Sequence, residues 1–409
     1  MAFPIEAVRA KFPALSQSIA YLDNPAGTQI PETVIGAVAG AMRKAASNLG
    51  GFFPDSREAS AIHDAAHQAA ADLLGGRSGE IVFGQSMTML TFQFSRSLGR
   101  LWRAGDEVIV TRMDHEGNVA PWLRLAEERG LVIRWLPFSR DTWRIECEEL
   151  KPLLNERTRL LALNCASNLT GSINDVATLT QLAKAAGALV YADAVQLAPH
   201  RLIDVEELGC DFLVTSAYKF FGPHLGVLWG REEILAELYP YAVRCAPEGL
   251  PGRHETGTPQ TELLAGLAAA VDYMSWLGTE AQGTGNRRTL LAHGYAAAAA
   301  HELELTRRCI TGLQQMKGVR IHGITNPNRL HERVPTISLT QDSHSPRLLA
   351  HALSALGINV WSGHNYALEV VRQLGLDEDE GVLRIGYAHY NTLAEVDRLL
   401  DALATLTGH

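Results

Sequence analysis

Two stretches of this sequence carry the residue types best suited to chemistry. Ala188-Leu-Val-Tyr-Ala-Asp193-Ala-Val-Gln196 and Phe212-Leu-Val-Thr-Ser216-Ala-Tyr218-Lys219 are apolar runs that end in polar side chains. Between them Val205-Glu-Glu-Leu-Gly fits a helical crossover, as two parallel strands require. The spacing therefore predicts a carboxylate, Asp193, and an amine, Lys219, on one edge of a sheet. A lysine amine can condense with an aldehyde and later carry a proton, while a buried carboxylate can keep a pyridine nitrogen protonated. Pyridoxal phosphate chemistry needs both. Taken singly, Asp193 reads as a helix cap and Lys219 as a solvated loop lysine; only the pair points to a site.

The elements that must position the pair follow an alternating pattern. Apolar runs at Glu80–Phe83, Glu107–Val110, Val132–Trp135, Leu160–Leu163, Ala188–Ala192 and Phe212–Thr215 are interleaved with helical stretches such as Val119–Arg129 and Val176–Ala186. This predicts an α/β domain with a mostly parallel sheet, whose ligands lie at the carboxyl ends of the strands. The later part differs. Helices are expected over Glu262–Trp276, Asn286–Met316, Pro346–Leu356 and Leu393–Leu406, with short strands at Val319–His322, Thr336–Thr340 and Val382–Tyr387. The expected organisation is an N-terminal arm over 1–20 that packs on the small domain, a large domain over 21–285, and a smaller α+β domain over 286–409.

Bulk properties narrow the class. The 409 residues are 46% hydrophobic and 20% charged, the composition of a soluble globular protein. A net charge of −9 with no offsetting Lys/Arg cluster argues against nucleic acid. No apolar run reaches membrane-spanning length and no signal-peptide core stands at the N-terminus. Five cysteines without a Cys-x-x-Cys pair suggest free thiols in a reducing, cytoplasmic setting. His63-Asp-Ala-Ala-His67 imitates the zinc-protease His-Glu-x-x-His pattern, but its acid is Asp and no third ligand is evident. A solvated helix face and no metal are expected there.

Six further motifs, in chain order, extend the two that hold the Asp193–Lys219 pair. The chain resembles the class V aminotransferase family, and within it the cysteine desulfurase and selenocysteine lyase group. Tyr21-Leu-Asp-Asn-Pro-Ala26-Gly is similar to the family's opening strand and loop, and Gln85-Ser-Met87-Thr88 falls at its phosphate-binding turn. Met113-Asp-His115-Glu-Gly-Asn matches the segment whose His stacks on the pyridine ring, and Ser167-Asn168 the Ser-Asn that reaches the cofactor's phenolic oxygen. Asp193-Ala-Val-Gln196 and Ser216-Ala-Tyr218-Lys219 match the Asp-x-x-Gln pair and the lysine loop. Arg253-His-Glu-Thr-Gly-Thr258 matches a segment that meets the partner's phosphate, and Arg384 the arginine that grips the substrate carboxylate.

The resemblance implies fold type I, pyridoxal 5'-phosphate as cofactor, a small amino acid as substrate and a homodimer with shared sites. Lys219, His115 and Tyr366 are the implied catalytic residues. Met87, Thr88, Ser216 and Tyr218 would hold phosphate, with a helix beginning at Thr88, and Asn168 and Gln196 would donate to the phenolic oxygen. Ala26, His364, Tyr366 and Arg384 would meet substrate.

Departures from the family matter for the reaction. Where desulfurases carry an Arg-Thr-Gly-His-His-Cys stretch, this chain reads Trp361-Ser-Gly-His364-Asn-Tyr366, with Tyr366 at the cysteine's position. A phenol cannot form a persulfide. Asn48-Leu-Gly-Gly-Phe-Phe replaces the partner-loop His-Arg pair, and Tyr218 a histidine. The leading expectation is a lyase that cleaves C–S bonds or otherwise eliminates a β-substituent without a persulfide-forming cysteine. The alternatives are a class V aminotransferase, an epimerase, and a non-catalytic binding protein of the same fold.

Overall fold

The computed structural model describes residues 3–408. Its large sheet has seven strands in the order Ile81–Gly84, Gly226–Gly230, Phe212–Ser216, Leu189–Asp193, Thr158–Asn164, Glu107–Thr111 and Val132–Leu136. Six run parallel; Gly226–Gly230 runs antiparallel to both its neighbours. All six apolar runs form strands. The first begins one residue later than expected, because Glu80 closes a short 3-10 turn. Gly226–Gly230 has no counterpart in the sequence reading.

Period-two alternation explains why the runs are so apolar. Ile109, Leu161, Leu163, Val190 and Leu213 pack into one core, while Val108, Val110, Leu160, Ala162 and Tyr191 pack into another on the opposite face. Both faces are covered, so the strand ends are where polar groups can meet a ligand. Thr111, Asn164, Asp193 and Ser216 are the last residues of their strands.

A second, antiparallel sheet has the order Trp361–Gly363, Val382–Gly386, Thr336–Gln341, Val319–His322. The helix Arg287–Gln314 bridges the two bodies. Its Leu291, Tyr295 and Ala298 join the large core, whereas Leu305, Cys309, Ile310 and Leu313 join the core of the small sheet. Near the N-terminus, Ala20–Tyr21 pairs in parallel with Ile358–Asn359. Arg9 donates to the Tyr390 carbonyl at 2.8 Å and pairs with Glu395 at 3.1 Å.

Arg333 ties the small sheet to the large body. It is fully buried, and its guanidinium donates to the carbonyls of Thr170, Ile324 and Thr336. Close approach also sets the edge of the site. A Cβ on Gly226 would lie 2.4 Å from the Ser86 carbonyl carbon and 2.8 Å from the Met87 nitrogen, so only glycine lets this strand lie under the turn that starts the helix Met87–Gly99. Among the described residues no helix is long and apolar enough to cross a membrane.

Candidate active site

Two connected chambers open at the carboxyl ends of the large sheet. The inner one holds about 540 Å³ of empty space, part of it open to solvent. Lys219 and Asp193 both line it. Lys219 is only 9% exposed, and its Nζ donates to the Pro25 carbonyl. Burial, then the Arg384 charge, depress its pKa to about 7, with Asp193 pulling the other way. Asp193 Oδ1 accepts from the Val195 amide at 2.8 Å. Burial lifts its pKa to about 6, opposed by that amide and by Lys219. Asp193 caps no helix and Lys219 is not solvated.

Met87, Thr88 and Ser216 line the same chamber. The helix expected to begin at Thr88 begins at Met87, because Ser86 caps it by accepting from the Met89 amide at 3.2 Å. Its free first-turn amides make this end an anion cradle. His115 Nδ1 accepts from the Gly117 amide at 2.9 Å, which puts the proton of the neutral ring on Nε2. Burial and the Lys219 and Arg384 charges push its pKa down to about 3. Tyr218 lines both chambers, with its ring stacked on His224 at 4.9 Å.

Asn168 and Gln196 line the inner chamber and are partly engaged. Asn168 Nδ2 donates to the Asn365 carbonyl at 2.8 Å, and Gln196 Nε2 to the Thr336 hydroxyl at 3.0 Å. The other ends of both amides, Asn168 Oδ1 and Gln196 Oε1, are buried without a partner. Because Thr336 can donate as well as accept, either end of the Gln196 amide can face the chamber. Buried orphan polar groups are rare. Here they line a chamber with an amine, a carboxylate and an anion cradle, a set that fits pyridoxal phosphate.

Ala26, His364, Tyr366 and Arg384 line the outer chamber, which Lys219, His115 and Asn168 also reach. Arg384 is buried; its Nη1 donates to the Asn168 carbonyl at 3.0 Å, and its Nε has no partner. Among the described residues no carboxylate lies within ion-pair distance of it. Burial lowers its pKa to about 10, offset by the charge of Asp23. Asp23 was missed in the sequence, although it stands in the quoted Leu-Asp-Asn-Pro stretch; its Oδ1 is also an orphan. Ser86, the helix cap, was missed too, though the Gln-Ser-Met-Thr spacing carries the signal.

The loop after Trp361–Gly363 is under backbone strain. Asn365 and Tyr366 sit at φ +50° and +59°, the left-handed region, which costs on the order of 1–3 kcal/mol for each non-glycine residue. Hydrogen bonds from site residues hold them there. Glu116 N donates to the Tyr366 carbonyl at 2.8 Å, and Asn168 to that of Asn365. The Tyr366 ring lies 5.3 Å from His115 and is 66% exposed.

Thr258, expected to meet the partner's phosphate, lies away from these chambers in its own chain and lines a separate hollow with Phe83, Gly84 and Gln85. One expectation needs correction. The His63–His67 face is not solvated: His67 is 4% exposed, and Glu255 arrives as a third group, 3.2 Å from His63 Nε2 and 3.0 Å from His67 Nε2. Cys165 is a core residue and Cys245 is exposed; among the described residues no cysteine lines either chamber.

Comparison with known proteins agrees with this geometry. The class V aminotransferase family model matches residues 20–399. An aminotransferase-like protein of Gibberella zeae is 33% identical over 98% of each chain, and a cysteine desulfurase of Pectobacterium carotovorum is 32% identical over 98% of each. The apo structure of a cysteine desulfurase from Thermococcus onnurineus superposes with a TM-score of 0.89 at 27% identity, covering 100% of this chain and 99% of that one.

The depressed Lys219 pKa has a kinetic consequence. Below about pH 7 the amine is protonated and cannot attack an aldehyde. Reconstitution of cofactor-free protein with pyridoxal phosphate should therefore accelerate between about pH 6 and pH 8 and then level off. A stopped-flow pH profile of chromophore formation checks this; a rate still climbing near the ordinary lysine pKa of about 10.4 would show a solvated amine.

Proposed function

The chain belongs to the class V aminotransferase family of pyridoxal phosphate-dependent enzymes, and within that family we propose a lyase that eliminates a β-substituent, such as a sulfur group, from a small amino acid without forming an enzyme persulfide. The observation that carries this reading is the strained loop that holds Tyr366, and no thiol, beside His115 at the mouth of the chamber.

When bound, pyridoxal phosphate supplies an aldehyde that captures amines and a ring that accepts electrons released at Cα. The chain's own residues supply the rest. Lys219 holds the cofactor and carries the Cα proton; its pKa near 7 suits both tasks at neutral pH. Asp193 holds a proton on the ring nitrogen, and a positive neighbour there would draw its raised pKa back down. The amides of Met87 and Thr88, with Ser216, bind phosphate. His115, neutral across the physiological range, presents a flat face and an Nε2–H donor.

Arg384 orients the substrate carboxylate. Its partnerless Nε and position between Asn168 and Asp23 leave donors free for a planar two-point contact. Tyr366 then lies over the substrate's β side, where its hydroxyl donates a proton to the leaving group, and its loop with Trp361 excludes water. A second reading, epimerisation, draws on the same Tyr366 hydroxyl as a proton donor to Cα; transamination would need the proton delivered to a cofactor carbon instead. Product identification separates the two.

Assembly is part of the reading. Thr258 lies away from its own chambers, and Phe52 and Phe53 are exposed, Phe52 by 94%. Both suit a homodimer in which Thr258 meets the partner's phosphate and the Phe52 loop covers the partner's outer chamber. Sedimentation at assay concentration should give about twice the chain mass of 44.5 kDa. An active monomer would contradict shared sites.

Tyr366→Phe should leave cofactor content intact and cut turnover about 100-fold, the scale of a general acid. Mass spectrometry after cysteine turnover should find no persulfide. A nearly neutral Phe variant would reduce Tyr366 to a packing role; persulfide on Cys165 or Cys245, with activity lost on its removal, would restore a sulfur-transferring mechanism.

A further inference from the structure

One cluster lies outside the chambers and is used by none of the chemistry above. The helix Pro54–Leu74 places His63 and His67 one turn apart, with their rings 4.2 Å from centre to centre. The loop residue Glu255 reaches both, one carboxylate oxygen to each Nε2, at 3.2 Å and 3.0 Å. The oxygen nearer His67 also accepts from the Phe83 amide at 2.8 Å, and the three ligand atoms lie within 4.8 Å of one another.

Proton accounting shows that a positive centre is needed. His67 Nδ1 lies 2.8 Å from the His63 carbonyl, which only accepts, so Nδ1 carries the hydrogen. In a neutral ring the Nε2 lone pair would then face a carboxylate oxygen in a largely buried site, and two lone pairs repel. That oxygen already accepts from the Phe83 amide. One imidazolium or one bound cation resolves the repulsion, while charging both rings would set two cations side by side at ring-stacking distance.

We propose that His63, His67 and Glu255 form a binding site for a divalent transition-metal ion, with zinc as the best match. Two imidazole nitrogens and a carboxylate are borderline donors of the type zinc prefers, and the ligand atoms, within 4.8 Å of one another, need only side-chain rotation to close onto tetrahedral edges of about 3.3 Å. The His67 Nδ1–carbonyl bond is the outer hydrogen bond that fixes a metal-binding tautomer. The side chain of His63 keeps 18% exposure, which leaves an entry path and room for water as fourth ligand. The ion would pin three elements together: the Pro54–Leu74 helix, the edge strand at Phe83, and the loop that leads from Glu255 to Thr258.

The test uses untagged holoprotein equilibrated with micromolar zinc and then desalted. Wild type should retain about one zinc per chain and gain thermal stability with added zinc. His63→Ala, at the more exposed of the two histidines, should lose both responses while keeping its cofactor content, as should His67→Asn. If wild type holds no more zinc than His63→Ala, the cluster is an imidazolium–carboxylate pair and the proposal falls. Cofactor content is measured in the same samples, so the result does not depend on the reaction assigned to the chambers.

Discussion

Everything at the site depends on burying one amine at the carboxyl edge of a sheet covered on both faces. In water Lys219 would be charged and inert toward an aldehyde. Just after Phe212–Ser216, with Arg384 as a nearby cation, its pKa falls to about 7, so that near neutral pH a large share of the amine is uncharged. Asp193, one strand over, experiences the same dry surroundings with the opposite sign. Each group is disfavoured as a lone ion, and a ligand that is both aldehyde and protonated heterocycle relieves both at once. The structure is thus prepared for its cofactor electrostatically as well as sterically.

The small sheet completes the site through hydrogen bonds rather than charge pairs. Asn168 receives Arg384 on its carbonyl and holds the Asn365 carbonyl with its amide, so one large-body residue fixes both Arg384 and the strained loop. Glu116, next to His115, holds the Tyr366 carbonyl. A shift of the small sheet would loosen Arg384 and Tyr366 together. Such shared tethers explain how a residue pair in left-handed backbone persists beside His115.

Much of this was legible in the sequence because strands buried on both faces write unbroken apolar runs, and polar residues at their ends stand out. Asp193, Ser216 and Lys219 were found that way. The strand Gly226–Gly230 escaped because it is bounded by glycines and antiparallel, breaking the alternation on which the reading relied. Glu255 escaped for another reason: it meets His63 and His67 across 192 and 188 residues, a closure no local period can announce. Asp23 was in view but had no evident task until the fold set its charge near Arg384. The strain at Tyr366 lies in backbone angles, which tyrosine's own preferences would argue against.

The central claim is that Asp193 and Lys219 work as one unit around a protonated ring. The most direct measurement is exchange of the substrate Cα hydrogen with deuterated solvent by Asp193→Asn. The account predicts a variant that still binds pyridoxal phosphate covalently through Lys219 yet exchanges about 100-fold more slowly or worse. Near-normal exchange in that variant, with the cofactor bound, would contradict it.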